Sequence, residues 1–556
     1  MIRTLTAVLL SAAFLLACSS RPAEGFDVVI TGGQIIDGSG RAGYRSDLAI
    51  DDDAVVRIGS LSQEEKAAAR QVINAEGLTV SPGFIDIHSH SDYTLLVDGT
   101  AQSKIRQGVT TEILGESRSA APIQGKLNSD SPYGIEVDWR TLGEYFDRLE
   151  RQGISVNVGS YVGATQVRLC VLGEESREPT DTEMDEMKQL VTEAMEDGAL
   201  GLSSALLVPP NTYHTTDQLA QMASMVKAHG GIYSTHIRSE GEGIQEAVLE
   251  AIEIGRRAGV PVDIIHLKIA DKSLWGRMEE ICGLIEAARR EGLEVTANQY
   301  PYPAGQNNLV ALIPPWAMEG GRKEMLERLG RPALRSRMAH DIYQGIPGWF
   351  NHYLAMGSWD GCLVASVTQH SNKQFEGKSV EEIARLTGKK PEDVVFDLLR
   401  DEEGSVPAVY FLMNDEDIKY ALRMPWLSFG SDGTAVRPDG MLGEGKPHPR
   451  WYGTFPRILG KYVREEGVLT LEQAVRKMTS LNAEKLGLSD RGLLEEGKKA
   501  DITIFDAATV RDRATFQDPH QYPEGIEYVI VNGRLVFEKG QHLEIFPGEV
   551  LRKRQN

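Results

Sequence analysis

Eight short apolar runs, mostly separated by helix-length stretches, constrain what this chain can fold into more than any other feature. They are Phe84–His88, Thr110–Gly115, Ser155–Tyr161, Ala199–Ser203, Gly231–Ile237, Val262–Leu267, Val295–Tyr300 and Trp426–Asp432. Strands that alternate with helices pair in parallel, and eight such units predict an α/β fold, a (β/α)8 TIM-like barrel. The clearest helical stretch is Glu246 to Ala258, with Ala247, Ala251, Ile254 and Ala258 on one stripe.

Three departures from eight plain units set the expected organisation. Phe26–Ile30 and Asp47–Ile50 near the start resemble Ala500–Phe505 and Tyr528–Gly533 near the end, all strand-like beside Gly-rich turns. Residues 26–80 and 488–550 are therefore expected to pair in a small β-rich domain, with the barrel at 81–487. The gap between Tyr300 and Trp426 exceeds one helix, so an inserted subdomain is expected at about 305–425, with helices at Glu324–Leu329 and Val380–Leu386.

With 556 residues and 41% hydrophobic content the chain can bury a large core. A formal net charge of -21 argues against a nucleic-acid binder, since the one basic block is the short tail Leu551–Arg554. Ahead of residues 18–25, a polar linker, residues 1–17 read as an export signal: Arg3 precedes the apolar run Leu5 to Ala17, too short to span a bilayer comfortably. Its ending, Leu15-Leu16-Ala17-Cys18, is similar to a bacterial lipoprotein signal with Cys18 as the lipidated residue; an ordinary secretory signal is the alternative. Ser19 after that cysteine implies an outer-membrane address, the chain facing the periplasm or the exterior. Cys170, Cys282 and Cys362 are odd in number and lack CxxC spacing, as isolated thiols do.

The chemistry sits at the ends of the eight runs. His88 and His90 lie one residue apart on a strand, so both imidazoles can face one metal ion. Alone this pair is weak. His236, His266 and Asp432 close three further runs, and in a barrel the C-terminal strand ends converge on one mouth. Four histidines and an aspartate at matching ends point to a site that binds metal or moves a proton rather than to packing.

The segments Pro82–His90, Gln107–Thr111, Thr235–Glu240, Gln299–Tyr302 and His448–Thr454 together resemble the amidohydrolase superfamily, and within it the D-aminoacylase (N-acyl-D-amino-acid deacylase) family, over nearly the whole mature chain. The resemblance implies hydrolysis of N-acyl-D-amino acids by water activated on zinc. His88 and His90 would hold a loosely bound metal, His236 and His266 a tightly bound Zn2+, and Asp432 would be both ligand and proton carrier. Lys268, Tyr300 and Arg450 match residues that hold the substrate carboxylate, a structural or solvated role being the alternative for each. Many relatives carry Gly-Asn-Cys-Gly after the second strand, where the cysteine joins two metals; here the sequence is Gly115-Glu116-Ser117-Arg118. Serine is a poor zinc ligand, so Glu116 is the expected bridge, against a role as partner of Arg118 around a single zinc. Asn298, where relatives commonly have aspartate, removes a charge near the mouth.

Two other functions fit part of the pattern. The same chemistry could act on a cyclic imide, a hydantoin or a dipeptide, but the arginine of His448-Pro449-Arg450 favours a free carboxylate. A catalytically inactive ligand-binding lipoprotein would be expected to have lost Asp432 or a histidine, and none is missing.

Overall fold

A computed structural model describes residues 25–127, 132–207 and 209–553, so Cys18 and the export signal lie outside the described residues. All eight expected strands are present, at Phe84–Asp86, Val109–Leu114, Asn157–Ser160, Gly201–Ala205, Ile232–His236, Val262–Ile264, Val295–Gln299 and Leu427–Phe429; the second and fourth are shifted at unchanged length and the others are shorter than the apolar runs suggest. Neighbours pair in parallel around the ring. The third strand breaks at Tyr161; its second piece, Val162–Gly163, pairs with Gly201–Ala205 and so joins the two arcs. The ring closes between first and last strands, where Asp432 N–H donates to His88 O at 2.9 Å and His90 N–H donates to Gly433 O at 3.0 Å. Closure therefore runs through candidate metal ligands.

Helices cover the outside because their apolar stripes find the barrel. Ile244–Ala258 buries Ala247, Ala251, Ile254 and Ala258, the stripe read from sequence, and ends at Gly259 in the left-handed region. Thr180 with Glu183 and Thr215 with Gln218 form capping boxes that start two further helices. Among the described residues no helix is long and apolar enough to cross a membrane. Cys170, Cys282 and Cys362 are free and buried.

Both chain ends enter one nine-stranded sheet, in which Ile502–Phe505 lies antiparallel to Thr79–Pro82 and Val28–Ile35 flanks the latter. Val28, Ile30, Ile50, Val80, Ile502, Ile504 and Ile530 form its core. Residues 488–550 contribute to more than the sheet. Asp512 and Phe516 reach over to Arg457 and Tyr302, and Val550 pairs with Val158 of the third barrel strand.

The insertion holds a three-stranded antiparallel sheet, Gly305–Asn308, Pro407–Tyr410 and Cys362–Val364, with helices that include Arg322–Leu329 and Val380–Thr387. Its own core contains Met325, Leu329, Ile342, Phe396 and Tyr410. That core extends to Met413. The helix Asp415–Leu422 places Ile418, Ala421 and Leu422 in the barrel core, and Asp417 accepts the Gly276 N–H at the start of the neighbouring barrel helix.

Candidate metal centre

Each candidate ligand owes its place to a strand end. His236 is the last residue of its strand, while His88, His90, His266 and Asp432 follow theirs within four residues. His266 and Asp432 have φ of 39° and 49°, left-handed backbone that non-glycine residues occupy only when the surroundings impose it. Asn298 Oδ1 accepts the His266 N–H at 3.0 Å, and Asp86 Oδ1 accepts the Ser431 N–H at 2.7 Å just before Asp432. Asn298 Nδ2 donates to Asp263 Oδ2 at 2.7 Å, so the missing charge noted at this position is a buried hydrogen-bond matter; an aspartate would set two carboxylates face to face.

Two groups of donor atoms form at the mouth, each drawn together within 4.8 Å: His88, His90, Glu116 and Asp432 in one, and Glu116, His236 and His266 in the other. Glu116 is common to both. Its Oε2 lies 2.7 Å from His88 Nε2 and 3.1 Å from His90 Nε2, and its Oε1 lies 3.5 Å from His236 Nδ1. Asp432 Oδ1 is 3.0 Å from His90 Nε2, and Oδ2 is 3.8 Å from His266 Nε2. Ser117 turns away: its φ is 58° and its Oγ bonds Thr165 Oγ1 at 2.9 Å. Gly115 makes this turn possible, at φ 87° and so close to Tyr161 that a Cβ would sit 2.3 Å from its carbonyl oxygen. Arg118 is exposed.

Burial alone would raise both carboxyls, yet His88, His236 and His90 hold Glu116 well below the usual range, and Arg450, His88 and His90 do the same for Asp432. Desolvation works the other way on His90, but the hydrogen bonds its ring makes to the Asp432 and Glu116 carboxylates overcome it and push the imidazole up to about 10. Two ionised carboxylates amid imidazoles make a charge set that a divalent cation would complete, displacing the extra proton of His90. Nitrogen and carboxylate oxygen are the donors zinc takes, and the nitrogens turned toward the centre, His88 Nε2, His90 Nε2, His236 Nδ1 and His266 Nε2, face the oxygens of Glu116 and Asp432. The residues fit such an ion.

The three carboxylate-binding candidates gather beside this centre. The Arg450 guanidinium lies 4.5 Å from the Tyr300 ring centroid, and its Nη1 is 3.0 Å from Asp432 Oδ2. That contact is close but poorly aligned for hydrogen bonding, so Nη1 and Nε remain buried donors without an acceptor. Lys268 is less free than the sequence suggests. Its Nζ donates to Glu240 Oε1 and lies 2.6 Å from His266 Nδ1. A cavity of about 1140 Å³ opens farther out, between Arg238–Gly243 and Gln344–Ala355, and none of the metal-centre residues lines it.

Two contributors escaped the sequence reading. Glu240 sits in the quoted Thr235–Glu240 segment, four residues after His236, and that spacing was an available signal. Lys104 gave none, since on the short helix Gln102–Ile105 it resembles any surface lysine. It is fully buried, with Nζ 2.7 Å from Asp86 Oδ2, 3.4 Å from Glu112 Oε2 and 2.9 Å from Ser431 Oγ. It ties the segment bearing His88 and His90 to the one bearing Asp432.

The description "Amidohydrolase family" fits residues 71–537 of the chain. A D-aminoacylase of Alcaligenes xylosoxydans xylosoxydans is 35% identical over 534 residues, covering 94% of this chain and 98% of that protein. The solved N-acyl-D-glutamate deacylase of Bordetella bronchiseptica, complexed with zinc and a phosphonate mimic of the tetrahedral intermediate, superposes with a TM-score of 0.79 at 31% identity, covering 95% of this chain and all of that one. A D-aminoacylase structure described by its binuclear metal centre, with one-metal activation and second-metal attenuation, gives 0.78 at 33% identity over 95% of this chain and 100% of that one.

Proposed function

The chain belongs to the amidohydrolase family, and on that premise we propose that it hydrolyses the amide bond of N-acyl-D-amino acids, releasing a carboxylate and a free D-amino acid. One observation carries this reading: the buried Arg450 guanidinium, with two donors lacking an acceptor, stands beside Asp432 at the edge of the metal centre. That arrangement suits a substrate with a carboxylate one α-carbon away from the scissile amide. The D configuration and the acyl-amino-acid class are supported by what the related proteins act on.

His236 and His266 with Glu116 would hold one zinc ion, and His88 and His90 with Glu116 and Asp432 a second. Bound there, zinc supplies Lewis acidity that activates water and polarises the amide carbonyl. Arg450 pairs with the substrate carboxylate, and the Tyr300 ring beneath it limits where the α-carbon can sit. Asp432, ionised and within reach of both groups, takes a proton from the attacking water and returns it to the departing nitrogen as the carbon–nitrogen bond breaks.

The decisive experiment supplies zinc-loaded protein with paired N-acetyl-D- and N-acetyl-L-amino acids and reads free amine. Release from the D members alone is expected. No release from any pair would overturn the activity, and equal release from both would overturn the stereochemistry. Export as a lipoprotein belongs to the same reading, supported by Leu15-Leu16-Ala17-Cys18. Cell fractionation with and without Cys18→Ser tests it; wild-type protein found wholly in the cytoplasmic fraction sinks it.

A further inference from the structure

Glu240 is a buried carboxylate, 4% exposed, on the segment that follows the fifth barrel strand. Its Oε1 lies 3.2 Å from His266 Nδ1 and 3.5 Å from His236 Nε2, and it accepts from Lys268 Nζ. In each histidine the nitrogen facing Glu240 is opposite the one facing the centre: His236 Nδ1 looks toward Glu116 and His266 Nε2 toward Asp432. The two rings stand edge to face, 4.4 Å between centroids, so a single oxygen reaches both. An imidazole that gives one nitrogen to a metal carries its proton on the other, and that proton needs a buried acceptor. Among the described residues, Glu240 places its carboxylate on this outer side of both rings.

We propose that Glu240 is the positioning residue of the metal site formed by His236 and His266, one carboxylate that orients both rings, and that by also holding Lys268 it links this site to the substrate-carboxylate pocket. The proposal rests on the metal-dependent reading above and deepens it. Lys268 Nζ lies 2.6 Å from His266 Nδ1, so the ammonium and a ring proton compete for the same space. Once His266 commits Nδ1–H to Glu240, Lys268 must give up that ring contact, and its ammonium becomes available to the substrate carboxylate. Zinc and the acyl amino acid are then expected to bind cooperatively, each favouring the arrangement the other needs.

Zinc affinity of protein loaded with one equivalent, measured against a chromogenic chelator, tests this without turnover. Glu240→Gln is expected to weaken zinc by 10- to 100-fold. Lys268→Met is expected to leave zinc affinity within about threefold while raising KM. The double variant is expected to be as weak as Glu240→Gln. Wild-type affinity in Glu240→Gln, or its recovery in the double variant, would overturn the proposal, since Glu240 would then be only the counter-ion of Lys268. If Glu240→Gln fails to fold, Glu240→Asp keeps the charge while withdrawing the oxygen from the rings: the same loss supports the proposal and unchanged affinity overturns it. A wild-type chain that takes up no zinc at all would instead overturn the functional reading.

Discussion

Arg450 Nη1 stands 3.0 Å from Asp432 Oδ2, so the candidate substrate cation and the candidate proton carrier touch before any substrate arrives. Arg450→Lys keeps the charge but loses the planar fork. KM for N-acetyl-D-amino acids should rise roughly 10- to 100-fold, with a much smaller change for amide analogues lacking the carboxylate. Equal effects on both substrates would show that Arg450 serves Asp432 alone.

Chelator treatment should abolish turnover and zinc should restore it. Asp432→Asn should retain the fold and much of the metal while losing turnover by roughly 100- to 10,000-fold, because an amide cannot carry the proton. Near-wild-type rates in either case would remove the mechanism.

Glu116 and Ser117 are neighbours in sequence with opposite directions in space. Glu116→Gln should lower metal content by elemental analysis, whereas Ser117→Ala should leave it nearly intact. The reverse order would make serine the ligand.

Lys104 is enclosed with two carboxylates that have no route to water. Burial alone would lower its affinity for a proton, but Asp86 and Glu112 keep the ammonium charged. Lys104→Met leaves those charges uncompensated and should destabilise the protein by about 3–5 kcal/mol in urea denaturation. A loss under ~1 kcal/mol would mean the cluster relaxes or takes up protons at little cost.

Asp92 supplies a pH test. Its buried Oδ1 has no hydrogen-bond partner, and burial, opposed by His90, pushes the carboxyl up to about 6 from 3.8. The folded state therefore binds this proton more tightly than the unfolded state does. The resulting penalty is absent below the unfolded value, grows as pH rises through that window and is complete above about 6. In metal-free protein Asp92→Asn should be more stable than wild type at pH 7 by on the order of 2–3 kcal/mol, with the advantage shrinking toward pH 4.5. A gain that grows on acidification would reverse the sign and refute the assignment.

The strands and the ligand-bearing ends were legible in the sequence because both are local properties. Runs such as Val295–Gln299 announce themselves by composition, and His236 or Asp432 need only close a run to reach a shared mouth. The helix over Ile244–Ala258 was readable for the same reason, its stripe being a repeat within one segment. The packing of Asp415–Leu422 into the barrel core was not, because it depends on partners far away in sequence.

Residue types and their order along the chain thus determined an eightfold parallel barrel with histidines and an aspartate at its rim. Tertiary structure alone decided direction and partnership. The turn at Gly115 brings Glu116 into the centre and takes Ser117 out of it, Lys104 is buried where its helix suggests exposure, and Glu240 claims Lys268 across 28 residues. The physical reason is that a side chain's charge state and aim depend on which groups enclose it, and those groups come from strands far apart in sequence.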